Sequence, residues 1–91
     1  MALQQEATFN NGVTVFYWII AYLTFDKING TTKVVLLPYI SRQIRMNGLG
    51  NYINDNEKNY AFDGYVSITE AYNLTKLSLN YDSLFSNATD I

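Results

Sequence analysis

The side chains that most often carry out catalysis are absent from this 91-residue chain, which contains neither cysteine nor histidine. Cysteine supplies the usual thiolate nucleophile, and histidine supplies the usual general base and pH-sensitive metal ligand. The serines therefore lack the base that would activate them, and no G-x-S-x-G motif occurs. The sequence predicts a protein that is not an enzyme, with no catalytic residues and no cofactor.

Three carboxylates, Asp55, Glu57 and Asp63, cluster around one predicted turn. Carboxylate oxygens are the ligands that calcium prefers, so the cluster is a candidate calcium loop. The spacing does not fit the EF-hand pattern, and the nearby glycine falls at the wrong position. We interpret these residues as ordinary turn and edge-strand polarity and predict no metal site.

Two arginines, Arg42 and Arg45, follow a predicted strand and are three residues apart. On a helical turn they share a face, where they could anchor an acidic partner or a phosphate. The commoner alternative is a solvated pair or one structural salt bridge. The chain has only six basic residues and a net charge of −2, so we expect no direct binding to nucleic acid.

The longest apolar segment is GVTVFYWIIAYLTFD, residues 12–26. Its β-branched and aromatic residues favour a strand. It is shorter than the ~20 residues that a helix needs to cross a bilayer, so no membrane partner is expected. Successive strand residues point to opposite sides. The odd side is wholly apolar, with Val13, Val15, Tyr17, Ile19, Ala21, Leu23 and Phe25.

The turns on either side of this strand predict its partners. Asn29-Gly30 is typical of a two-residue hairpin loop, because both positions accept a positive φ. That loop pairs Phe25 with Val34 and Asp26 with Lys33, and it places Tyr22 opposite Leu37 and Ile20 opposite Tyr39. Upstream, a three-residue loop at 10–12 pairs Phe9 with Val13 and Ala7 with Val15.

The rest of the chain predicts four further features. A helical turn runs from Ser41 to about Asn47, and Pro38 marks a bulge or an edge in the strand before it. A fourth strand carries Tyr60 and Phe62 on one side. Ser67 and Glu70 have capping-box spacing at the start of a helix of about 12 residues. The tail contains Leu84 and Phe85, which could dock on the core.

The predicted architecture is one domain over residues 1–91, of the α+β class. It is a small antiparallel β-meander of three to four strands with one C-terminal α-helix packed on the odd side of the sheet. The other side is left without an obvious cover, and soluble monomers rarely expose a large apolar patch. We predict a protein interface there, made by Phe16, Trp18, Ile20, Tyr22, Leu37, Tyr39, Arg42 and Arg45.

An alternative is that the 41–56 segment or the C-terminal tail folds over this side. Trp18→Ser distinguishes the two arrangements: an interface residue should affect assembly more than the monomer fold.

Several segments in order, NGVTVFYWII, VVLLPYISRQIRMNG, NYAFDGY, AYNLTKL and NATDI, resemble a group of small tailed-bacteriophage virion proteins encoded near fibre genes. The matches Gly12-Val13-Thr14, Tyr17-Trp18, Tyr39 and Ala88-Thr89-Asp90 carry the resemblance. This chain departs from the group at Ile44-Arg45, where other members often have alanine and arginine. The resemblance implies a virion component or assembly factor and implies no activity.

The leading hypothesis is therefore a non-enzymatic virion structural protein, associated with head or tail fibres and assembled in the bacterial cytoplasm. It would pack as a homo-oligomer or against a larger fibre, tail or capsid protein. The alternative is a small soluble phage regulatory or anti-host protein that binds a bacterial target. The copy number of the chain in purified particles distinguishes the two hypotheses, because a structural protein should be present at a multiple of the particle's symmetry.

Overall fold

A computed structural model of the chain describes residues 2–48, 50–53, 56–77, 84–85 and 87–91. It contains a five-stranded antiparallel sheet in the order β4-β3-β2-β1-β5. The α+β class and the helix near the C-terminus packed on the sheet are confirmed. The elements are β1 Leu3–Thr8, β2 Thr14–Asp26, β3 Thr31–Tyr39, α1 Arg42–Met46, β4 Lys58–Asp63, α2 Ile68–Leu77 and β5 Thr89–Asp90.

The β1–β2 loop is the predicted three-residue loop. Phe9 donates its backbone N–H to the Val13 carbonyl at 2.9 Å, and Ala7 pairs with Val15. Gly12 has a φ of +85°, which is the left-handed conformation that glycine adopts without a steric cost. Both the length of this loop and its register are confirmed.

The β2–β3 loop is longer than predicted, and the predicted register is wrong. Asp26 pairs with Thr31 and Phe25 with Thr32, so the loop has four residues, 27–30. The Asp26 carboxylate is the physical cause. It accepts the backbone N–H groups of Ile28 at 3.0 Å and Asn29 at 3.2 Å, and the Asn29 side-chain amide at 2.7 Å. These bonds satisfy the amides of the wider turn, which the Asn-Gly pair alone does not predict.

We expect the turn to weaken in acid because the Asn29 amide and the two backbone N–H groups lower the pKa of Asp26. A lowered pKa stabilises the fold above the unfolded value, about pH 4, and this contribution is lost as the pH falls through the folded value. The urea midpoint should therefore fall below about pH 4 less steeply in Asp26→Asn than in the wild type. Equal slopes in the two proteins would contradict this prediction.

A bulge in β2 changes which side chains lie under the helix. The β2–β3 ladder shifts register between Ile20 and Tyr22, so Ala21 is an extra residue. An extra residue moves every following side chain to the other side of the sheet. A second shift lies between Gln4 and Ala7 in the β1–β2 ladder. The predicted division of β2 is therefore wrong from Tyr17 to Ala21, between the two shifts, whereas Val13, Val15 and Leu23 pack in the core under α2 as predicted.

The sheet has two apolar faces, which we call the front face and the back face. Helix α2 covers the front face, where the buried residues are Leu3, Val15, Trp18, Ile20, Val34, Leu36, Tyr60, Val66, Ala71, Tyr72 and Phe85. The buried cluster on the back face is Ala2, Tyr17, Ile19, Leu37 and Tyr39. Trp18 and Ile20, predicted for the uncovered side, thus belong to the helix-covered core, and Tyr17, predicted for that core, does not.

Both predicted helix starts are confirmed. Ser67 accepts the Glu70 N–H at 3.2 Å, and Ser41 accepts the Ile44 N–H at 3.2 Å, so each serine satisfies an otherwise unpaired helix amide. The Tyr72 side chain of α2 then reaches the sheet, where its hydroxyl oxygen accepts the Ile20 N–H at 2.8 Å.

The tail closes the front-face core. Phe85 is 1% exposed, and its ring lies edge-on to Trp18 and Tyr60, with centroid distances of 5.0 and 6.1 Å. The predicted docking of Phe85 is confirmed. The sequence did not predict β5, which pairs with β1 and leaves Ala2 and Ile91 exchanging two backbone hydrogen bonds of 3.2 and 3.0 Å.

Candidate protein interface

The back face carries an open groove of about 480 Å³ beside the β2 bulge. Tyr22 stands at its border and is 65% exposed. A volume of this size can accept side chains of a partner and lies within the range of small-ligand pockets. The groove is lined mainly by Ile19, Ala21, Tyr22, Leu37, Tyr39 and Tyr52.

The segment after β3 covers one end of the back face. The Tyr52 ring lies edge-on to Tyr39, with centroids 6.4 Å apart, and Ile53 donates its N–H to the Pro38 carbonyl at 2.9 Å. Tyr39 is fully buried as a result. Pro38 also lies beyond the last β3–β4 pair, Leu36 with Lys58, which agrees with its predicted position at a local edge.

A second hollow of about 250 Å³ lies on the same face. Phe16, Ile40 and Ile91 form its apolar border and are 42%, 44% and 47% exposed. Arg42 lies at the same hollow and is exposed. Half-exposed apolar side chains beside an arginine are a composition typical of interface centres, where aromatic residues and arginine are enriched.

Arg45 is half-buried, and its charge acts on Tyr39. Its Nε atom is buried and has no hydrogen-bond partner among the described residues. Burial raises the pKa of the Tyr39 phenol, and the positive charge of Arg45 acts in the opposite direction. Neither Arg42 nor Arg45 forms a salt bridge with a residue that the structure describes, so the structural ion pair considered for them is not found there.

The structure therefore divides the predicted interface residues. Tyr22, Leu37 and Tyr39 meet at the groove, and Phe16 and Arg42 meet at the second hollow. Trp18 is fully buried on the front face, whereas Ile20 packs in that core and also borders the groove.

Sequence reasoning missed several residues of the back face, among them Tyr17, Ile19 and Tyr52. Tyr17 and Ile19 were assigned to the wrong side because strict alternation ignored the bulge. The available signal was Ala21, which is the one small residue in an otherwise bulky run and has low strand propensity. Tyr52 lies in a segment without periodicity, so no pattern in the sequence predicts its position.

Other kinds of site were also considered. Asp55 lies outside the described residues, whereas Glu57 and Asp63 are exposed. In the part of the chain that the structure describes, no three side chains of the metal-ligating types come together. No helix among the described residues is long and apolar enough to cross a membrane.

Comparison with known proteins gives no relative for this chain. No protein-family model matches it. No curated protein matches it. No solved structure matches it.

Proposed function

We propose that this chain is a non-enzymatic structural protein of a bacteriophage virion, associated with head or tail fibres. It packs through its back face against a larger fibre, tail or capsid protein or against copies of itself. The observation that carries this proposal is the groove with Tyr22 at its border, on the face opposite the helix-covered core. The sequence resemblance to fibre-associated phage proteins supports the same assignment.

Burial of the exposed apolar groups supplies the binding energy. Each Å² of apolar surface removed from water contributes about 25 cal/mol before the cost of association. Tyr22 and Phe16 provide most of that surface because each ring is large and already partly fixed by the strand. Arg42, at the border of the second hollow, adds a charge that can pair with an acidic group of the partner.

Quantitative mass spectrometry of purified particles tests this function. We expect the chain at a fixed copy number, in a multiple set by the symmetry of the particle. Tyr22→Ser and Phe16→Ser should each reduce incorporation by about tenfold, which is a loss of about 1.4 kcal/mol in binding. Each should lower the free energy of unfolding of the isolated chain by no more than about 1 kcal/mol.

Two exposed apolar residues away from this face serve as matched controls. Tyr65 is 71% exposed and Ile28 in the β2–β3 loop is 94% exposed, so Tyr65→Ser and Ile28→Ser should be incorporated like the wild type. Absence of the chain from particles, or normal incorporation of both back-face variants, contradicts the proposal. Recovery of the chain with one bacterial protein instead would support the regulatory alternative.

A further inference from the structure

Strand β2 is much longer than its neighbour β1. It runs for 13 residues, but its ladder with β1 ends at the pair Leu3 with Trp18. On the β1 side, the segment from Ile20 to Asp26 therefore has no neighbouring strand among the described residues. This segment is an open sheet edge. Ile20, Ala21 and Tyr22 at its beginning also line the groove on the back face, whereas residues 23–26 do not.

The hydrogen-bond directions along this edge follow from the sheet register. The Pro38 carbonyl points away from β2, because it accepts the Ile53 N–H. Hydrogen-bonding direction alternates along β3, so the N–H and C=O groups of Val35 point towards β2. The N–H and C=O groups of its partner Tyr22 therefore point towards β3. The backbone N–H and C=O groups of the alternate residues Leu23 and Phe25 consequently point outwards, and the described part of the chain offers them no partner.

The chain closes one end of this edge and leaves the remainder open. The Tyr72 hydroxyl accepts the outward N–H of Ile20. Segment 20–25 contains no charged residue and no proline, although these are the residues with which proteins usually prevent edge pairing. The outer edge of β1, in contrast, carries the exposed Glu6, and two like charges would meet if β1 paired with its own copy.

We propose that the β2 edge binds a second copy of this chain, with the two β2 strands antiparallel about a two-fold axis at Thr24. In this register Leu23 of each copy faces Phe25 of the other, and each pair exchanges two N–H···O bonds. Thr24 faces its own copy, and Tyr22 faces Asp26. A second copy fits because one symmetric register satisfies the outward N–H and C=O groups of Leu23 and Phe25 without opposing like charges.

The proposed dimer leaves the back face of each copy uncovered. The two-fold axis is perpendicular to the sheet, so the grooves of both copies open on the same side of one ten-stranded sheet. The inference goes beyond the proposed function, because it concerns the isolated chain and does not require a virion. Phe16→Ser should reduce virion incorporation by about tenfold while leaving the dimer intact. The two measurements therefore separate a failure of the proposed function from a failure of the dimer.

A charge exchange at Thr24 tests the register. Thr24 is exposed, so substitutions should not unfold the monomer. Because its neighbour within the sheet is Lys33, Thr24→Lys should be less stable than Thr24→Glu, and circular dichroism checks that both are folded. In sedimentation equilibrium, Thr24→Lys and Thr24→Glu should each weaken the dimer about tenfold, because like charges then meet at the axis. A 1:1 mixture should recover association to within about threefold of the wild type. A wild-type monomer throughout, or no recovery in the mixture, overturns the proposal.

Disulfide formation provides an independent measurement. The chain has no cysteine, and directly opposed residues of this kind have Cα atoms about 4.5 Å apart, within the range of a disulfide. Thr24→Cys should form a covalent dimer under mild oxidation at least about tenfold faster than the control Lys33→Cys on the adjacent strand. Equal rates for the two variants contradict pairing at Thr24, and circular dichroism of both confirms that each is folded.

Discussion

Trp18→Ala should remove about 3–5 kcal/mol from the free energy of unfolding, as truncations of large buried aromatic residues do. Trp18 is fully buried and packs edge-on against Phe9 and Phe85, with centroid distances of 6.2 and 5.0 Å. Its indole N–H also donates to the Gln5 carbonyl at 3.0 Å. Because domains of this size have only about 5–15 kcal/mol in total, this loss is a large fraction of the stability of the fold.

Urea titration followed by circular dichroism measures this loss. The matched control is Tyr22→Ala, whose side chain is 65% exposed and whose stability should change by no more than about 0.5 kcal/mol. The expectation from the sequence was the reverse, namely that a change at Trp18 would affect assembly more than folding. A stable Trp18→Ala monomer that fails only in assembly would contradict this prediction and would support an interface role for Trp18.

Phe85→Ala should cost a similar amount, about 3–5 kcal/mol, although Phe85 lies far from the other core residues in the sequence. Its ring fills the space between Trp18 and Tyr60, so truncation leaves a cavity on the front face. The segment that follows leads directly into β5. We therefore expect faster hydrogen exchange at the Ile91 amide, which donates to Ala2, as well as a lower urea midpoint.

The control for Phe85→Ala is the same substitution at the half-exposed Phe16, which should cost about 1 kcal/mol or less. The double variant Trp18→Ala/Phe85→Ala adds a sharper test. Since the two rings touch, the losses should be less than additive by at least about 0.5 kcal/mol. Full additivity would mean that the two side chains do not share one packed core.

The local features of this fold were predictable because each depends on a few neighbouring residues. Gly12 fixes the first loop, and Ser41 and Ser67 fix the helix starts through their own side chains. The hydrophobic alternation of Tyr60 and Phe62 likewise gives the strand β4. In these cases the signal and the structure lie within one turn or one strand.

The assignment of residues to faces failed because it depends on counting along a long strand. The register shifts at Ala21 and between Gln4 and Ala7 reverse the sides of the β2 residues that lie between them. The Asp26 carboxylate also selects a wider loop than Asn-Gly implies. The candidate interface therefore keeps some of its predicted members and loses others: Tyr22 and Phe16 are exposed on the back face, whereas Trp18 is fully buried on the front face. Pairings distant in sequence, such as β1 with β5, leave no local signal to read.

The pairing of β1 with β5 also determines how the fold responds to mechanical force. Ala2 and Ile91 lie opposite each other at one end of this ladder, so tension applied through them opens the bonds one after another instead of loading them together. The strand β5 is only two residues long, and beside it the Lys76 ammonium contacts the Asp90 carboxylate at 2.7 Å. A pull at these positions should therefore detach β5 at low force, while the long β2–β3 ladder stays intact.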